Sequence, residues 1–143
     1  MYTNSFFRSR KKFASNSATV LVPILCELFE PRSVVDIGCG DGAWLAEFRK
    51  HDVTRILGVD GPWVNTSNLE IDNTEFQKRD LTQTLELAAP KFDLCICLEV
   101  AEHLPRDCAS QFVNSLTQLS DVVVFSAAIP YQGGTGHVNE QWP

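Results

Sequence analysis

The passage Val34-Val35-Asp36-Ile37-Gly38-Cys39-Gly40-Asp41-Gly42-Ala43-Trp44 most constrains what this chain can fold into: an apolar β-branched run gives way to three alternating glycines and then to helix-forming residues. Glycine carries no Cβ and tolerates left-handed backbone, so such a turn lets the main chain approach a bound molecule closely, with the N–H groups of the next helix nearby. Strand, ligand-binding turn and helix are expected in that order.

Further Val- and Ile-rich runs, Arg55 to Val59, Phe92 to Leu98 and Asp121 to Ala127, join Ser33 to Ile37 as strands, with a weaker one at Phe76 to Arg79. Between them lie helical patterns. The clearest is Ala109, Phe112, Val113 and Leu116, spaced i, i+3, i+4 and i+7 after an Asp107 cap; another runs from Ser15 to Phe29, with Pro23 near a kink. Near-continuous apolar strands alternating with helices predict an α/β, Rossmann-like doubly wound fold, a mostly parallel sheet with helices on both faces and ligands at the carboxyl ends of the strands. About five strands are expected. Beyond Ala128 the chain runs through Gly133, Gly134 and Gly136 to Pro143 as polar loop. The sheet therefore looks unfinished, as in a C-terminal truncation, with Val122, Val123 and Val124 on an open edge prone to self-association.

Hydrophobic residues at 44% and charged residues at 21% suit one folded domain, residues 15–143, after a flexible basic tail over residues 1–14. A net charge of −6 disfavours a nucleic-acid surface, which needs clustered Lys and Arg. The apolar stretch from Ala18 to Phe29, broken by Pro23 and Glu27, is too short to span a membrane. Five cysteines with no Cys-x-x-Cys pair point to a reducing cytoplasm. Cys95 and Cys97 share a strand face and could meet His103 around zinc, but their apolar setting reads better as buried small side chains, and no metal site is assigned.

Gly38, Gly40 and Ala43 also satisfy a dinucleotide fingerprint, and Asp60 follows at roughly the twenty-residue offset of a ribose-binding acid. A nicotinamide-dependent dehydrogenase is thus a competing reading. Asp36 decides against it, because a carboxylate just before the turn would repel a pyrophosphate but attract the ammonium and sulfonium of S-adenosylmethionine. Gly42, which makes the spacing G-x-G-x-G, and a second acid pair point the same way. Asp60, followed by Gly61, can accept hydrogen bonds from ribose hydroxyls, and Asp80, followed by Leu81, can take the adenine amino group with Leu81 beside the ring.

From about residue 15 onward the chain resembles class I S-adenosylmethionine-dependent methyltransferases, in which a glycine motif, a ribose acid and an adenine-side acid occur in this order. The resemblance implies cofactor contacts from Asp36, Gly38, Gly40, Gly42, Asp60, Gly61, Asp80, Leu81 and Glu99. It also implies a seven-stranded sheet whose last two strands are missing here. The segment Phe92 to Leu104 resembles the fourth strand and following loop of the small-molecule branch, which implies a small methyl acceptor, and the polar terminal loop Asn139 to Trp142 with Tyr131 would suit a polar one. Methyl transfer is an in-line displacement that gains most from positioning, with a base only where the acceptor must lose a proton. His103 and His137, in the loops after the fourth and fifth strands, are the candidate catalytic bases, and His51 is read as structural. The alternative is a truncated, non-catalytic cofactor-binding module that pairs with another chain through its open edge.

Overall fold

Strand β1 (Ser33–Ile37) is buried along its whole length, and its alternating side chains face two separate apolar clusters. The computed structural model describes residues 4–142, with side chains from residue 16 onward. Val34 faces helices α1 (Asn4–Phe29) and α2 (Ala43–Arg49), where it meets Ala18, Val22, Leu45 and Phe48. Val35 and Ile37 face α3 (Ala109–Leu119), packing with Phe112, Leu116 and Leu119. The central strand therefore needs apolar residues at successive positions, which is why Val34 and Val35 follow one another.

Around β1 lie β2 (Arg55–Asp60), β3 (Phe76–Lys78), β4 (Leu94–Leu98) and β5 (Val123–Ser126), in the order β3-β2-β1-β4-β5, every pairing parallel. This is the expected five-stranded, Rossmann-like sheet. The chain leaves β1 for β2 on one side and later returns to β4 on the other, so the order reverses at the carboxyl end of β1. Ligand crevices form at such switch points.

Several expectations change in detail. Helix α1 starts at Asn4 rather than Ser15 and so includes most of the stretch expected as a tail, which has no Gly or Pro to stop a helix; the side chains of the basic run Arg8 to Lys12 lie outside the described residues. Strand β4 starts at Leu94, since Asp93 is engaged with Ser33 instead: its carboxylate accepts from the N–H groups of Arg32 and Ser33 and from the Ser33 hydroxyl, while its own N–H donates back to Ser33 Oγ. Asp107 does not cap α3. It sits in a 3-10 turn (Arg106–Cys108) that runs straight into the helix.

The buried stripe of α3 is Phe112, Ser115, Leu116 and Leu119, while Val113 is 48% exposed. The stripe is rotated because Ser115 is satisfied inside: its hydroxyl donates to Gln111 O and accepts from the N–H of Leu85 at 3.2 Å. That bond fastens the β3–β4 connection to the helix. Ser115→Ala would orphan the buried Leu85 N–H and is expected to lower stability by about 1–2 kcal/mol in urea denaturation, whereas Val113→Ser should change little.

Among the described residues no helix is long and apolar enough to cross a membrane. Cys39, Cys95 and Cys97 are buried free thiols, and burial pushes the Cys95 thiol up to about 12 and the other two upward as well. They pack as small apolar groups.

Candidate functional site

The glycine turn crosses the carboxyl end of β1 under the control of β2, since the N–H groups of Gly38 and Cys39 both donate to Val59 O, at 2.7 and 3.3 Å. Gly38 and Gly40 have positive φ for different reasons. A Cβ at Gly38 would stand 2.2 Å from Val100 Cγ2, so the turn is packed tightly from below. At Gly40 a Cβ would meet nothing within 4 Å, so there the backbone faces open space. Gly42, also at positive φ, is the N-cap of α2.

Asp60 ends β2 and braces this turn. One carboxylate oxygen accepts from Gly40 N–H at 2.7 Å and the other from Gly61 N–H at 2.6 Å. Burial nevertheless raises its pKa against the lowering effect of these bonds. Asp36 is buried on the neighbouring strand, one register step from the turn, and its carboxyl is raised well above the usual range by burial and by the charge of Asp60. Neither acid forms an ion pair among the described residues. Two buried carboxylates beside one open glycine turn make a place where positive charge is favoured.

The other expected cofactor contacts divide. Asp80 lies beyond the end of β3, exposed, with Oδ1 accepting from the N–H and hydroxyl of Thr82 in an Asx turn, which holds its carboxyl below the usual range. Oδ2 remains available. Leu81 is 2% exposed and belongs to the apolar cluster that also contains Leu57 and Val59. Glu99 follows β4 with φ +57°, a left-handed conformation that a residue with a Cβ adopts at a cost. Its N–H donates to Ser126 O and its carboxylate accepts from Ser126 Oγ, which ties β4 to β5 at the site's rim. Such strain commonly marks functional positions.

His103 and His137 come together although they are far apart in sequence. Their rings meet edge to face with centroids 5.0 Å apart. The chain after β5 is latched back by the N–H groups of Val138 and Asn139, which both donate to Glu102 O, at 2.8 and 3.1 Å. His51, at the far end of α2, faces Glu47 at 3.6 Å and lies outside this group.

Trp63 joins the site although no motif of the sequence includes it. It is 70% exposed, and its ring covers Gly61 so closely that a Cβ there would stand 2.2 Å away. An aromatic residue just after a strand-ending Asp-Gly was the available signal.

A five-stranded parallel sheet with a glycine turn at its switch point and acids at the strand ends defines a Rossmann-like, methyltransferase-type nucleotide fold. Residues 8–126 match the family model described as a methyltransferase domain, and the chain belongs to that family. No curated protein matches. Among solved structures, Streptomyces venezuelae DesVI superposes with a TM-score of 0.70 at 16% identity, over 92% of this chain and 58% of that one. The methyltransferase domain of bacterial CtHen1 gives 0.60 at 20% identity, over 76% and 65%. Human N-acetylserotonin methyltransferase, solved with SAM, gives 0.58 at 17% identity, over 87% and 39%. At these identities the likeness is one of fold, and the chain spans less than two thirds of each of these structures.

Proposed function

We propose that this chain binds S-adenosylmethionine across the carboxyl ends of β1, β2 and β3, and that the protein transfers its methyl group to a small polar acceptor by in-line displacement. The observation that carries this reading is the pair of buried acids, Asp36 and Asp60, beside an open glycine turn, with no ion pair to either among the described residues. A dinucleotide pyrophosphate would be repelled there. A sulfonium and an ammonium would be held.

When bound, the cofactor supplies an electrophilic methyl group on a positively charged sulfur. The chain's own part is to position and shield it. Gly38, Gly40 and Gly42 shape the turn, with Gly40 letting the ligand approach the backbone. Asp60, whose oxygens each keep a second lone pair beyond the bonds from Gly40 and Gly61, accepts from the ribose hydroxyls, and Trp63 walls that side. Asp80 Oδ2 meets the adenine amino group, and Glu99 lines the opposite rim. His103 and His137 are the acceptor-side groups, each able to take a proton through Nε2. Cytoplasmic location fits the free buried thiols.

The edge strand β5, with Phe125 46% exposed, supports a secondary reading in which this chain also pairs with a second copy. Size-exclusion chromatography coupled to light scattering reads it directly.

Calorimetric titration with S-adenosylhomocysteine, beside NADH, tests the cofactor assignment. Saturable binding of the first and not the second is expected, with Asp60→Ala weakening it about 10–100-fold through lost charge-assisted hydrogen bonds. Binding of NADH alone by a folded chain would overturn the assignment.

A further inference from the structure

Glu102 is 1% exposed, and its Oε2 is a buried side-chain oxygen with no hydrogen-bond partner. A buried carboxylate oxygen without a partner is costly and needs a reason. The neighbours supply one. Ligand atoms of Glu102, His103 and His137 all lie within 4.8 Å of one another. We propose that these three residues hold a divalent first-row transition-metal ion, at a site built from the turn after β4 and the loop after β5.

The hydrogen bonds around the two imidazoles prepare them for this. His103 Nδ1 is 3.1 Å from Gly136 O, and His137 Nδ1 is 2.9 Å from Glu140 Oε1. Both partners only accept, so each Nδ1 carries the proton and each Nε2 is left with a free lone pair. A carbonyl or carboxylate on the far nitrogen is the usual means of orienting a metal-binding histidine and raising its basicity. Gly134 preserves room beside His137: a Cβ there would stand 2.2 Å from Nε2.

Two imidazole nitrogens and one carboxylate oxygen suit zinc, cobalt or iron better than magnesium or calcium, which prefer oxygen alone. Metal-to-ligand bonds of ~2.0–2.2 Å bring tetrahedral ligand atoms to within ~3.5 Å of each other, so the trio would close by about an ångström on binding. Three protein ligands leave coordination positions open for water or for an oxygen of a second molecule, a hydroxyl or carboxylate. In that role the histidines are ligands in place of bases. The cysteines take no part, since the one metal-competent group among the described residues contains none.

The site stands on its own geometry, so it is tested without any cofactor. The purified chain, stripped with chelator, is titrated with Co2+ while its visible absorption is followed, and with Zn2+ by calorimetry; His137→Ala and Glu102→Gln are run in parallel with circular dichroism as the check on folding. One equivalent of Co2+ with visible bands is expected, together with a metal-dependent rise in melting temperature, both weakened more than tenfold in the two variants. His137 belongs to neither core cluster, so His137→Ala keeps the test decisive if Glu102→Gln fails to fold. Absence of saturable binding by the folded chain, or binding that His137→Ala leaves unchanged, would overturn the site. Either result leaves the S-adenosylhomocysteine titration untouched, so the two readings fail separately.

Discussion

Gly38→Ala is expected to destabilise the fold by roughly 2–5 kcal/mol, adding about 1–2 kcal/mol for a left-handed alanine to about 1–3 kcal/mol for overpacking. The first part follows from φ +84° at Gly38, and the second from the 2.2 Å approach of a new Cβ to Val100 Cγ2, with Cγ1 at 3.0 Å. Val100 is itself buried in the cluster beneath α3, so it has little freedom to retreat. A loss of this size is a large part of an ordinary domain's stability. Urea denaturation of Gly38→Ala, Val100→Ala and the double variant separates the two contributions. The double variant should be less destabilised than the sum of the singles, because truncating Val100 removes the clash but not the backbone strain. Simple additivity would show that the steric contact is not what requires glycine. Gly40→Ala offers the contrast, with backbone strain but no neighbour within 4 Å. It should unfold more easily by only about 1–2 kcal/mol while still weakening the ligand, whose approach its methyl group would block.

The sheet was legible because its signal is local. Central strands covered on both faces need apolar residues on both sides of the sheet, and β1, β2 and β4 carry consecutive ones, Val34-Val35, Ile56-Leu57 and Leu94 to Leu98. The glycine turn and the acids at the ends of β1 and β2 were legible for the same reason, since each follows a recognisable strand. What escaped depends on contacts between distant segments. Nothing in the spacing of α3 says that Ser115 replaces Val113 in the buried stripe, because its partner is the Leu85 N–H, thirty positions away in sequence. Nothing local to Leu81 says that its side chain joins the apolar cluster of Leu57 and Val59, which the assembled core shows. The sequence offers His103 and His137 one at a time, each as a base in its own loop. Their convergence on Glu102 needs the terminal loop to fold back onto the Glu102 carbonyl, which no local pattern announces.

Asp36→Asn should separate stability from binding and move them in opposite directions. In the folded, ligand-free chain the Asp36 carboxyl is raised, first by burial and then by the charge of Asp60, while in the unfolded chain it ionises at its ordinary value. Between those two values the unfolded state releases a proton that the folded state retains, so this residue's contribution to stability falls as pH rises above the ordinary carboxylate range. Above the raised value the loss is complete. Asn cannot ionise, and Asp36→Asn is therefore expected to melt at a higher temperature than the native chain at neutral pH, with the gap shrinking toward pH 4. Cofactor binding has the reverse sign, because a sulfonium or ammonium needs the ionised carboxylate. Native affinity for S-adenosylmethionine should rise with pH through the raised Asp36 value and then level off. The variant should bind about a hundredfold or more weakly, as expected when one partner of a buried charge pair is removed, and should show a shallower pH profile. Thermal melts of the free proteins and titrations at several pH values read both halves. A variant less stable than the native chain at neutral pH, or one that binds S-adenosylmethionine equally well, would mean that Asp36 is not the buried anion that attracts the ligand's positive charge.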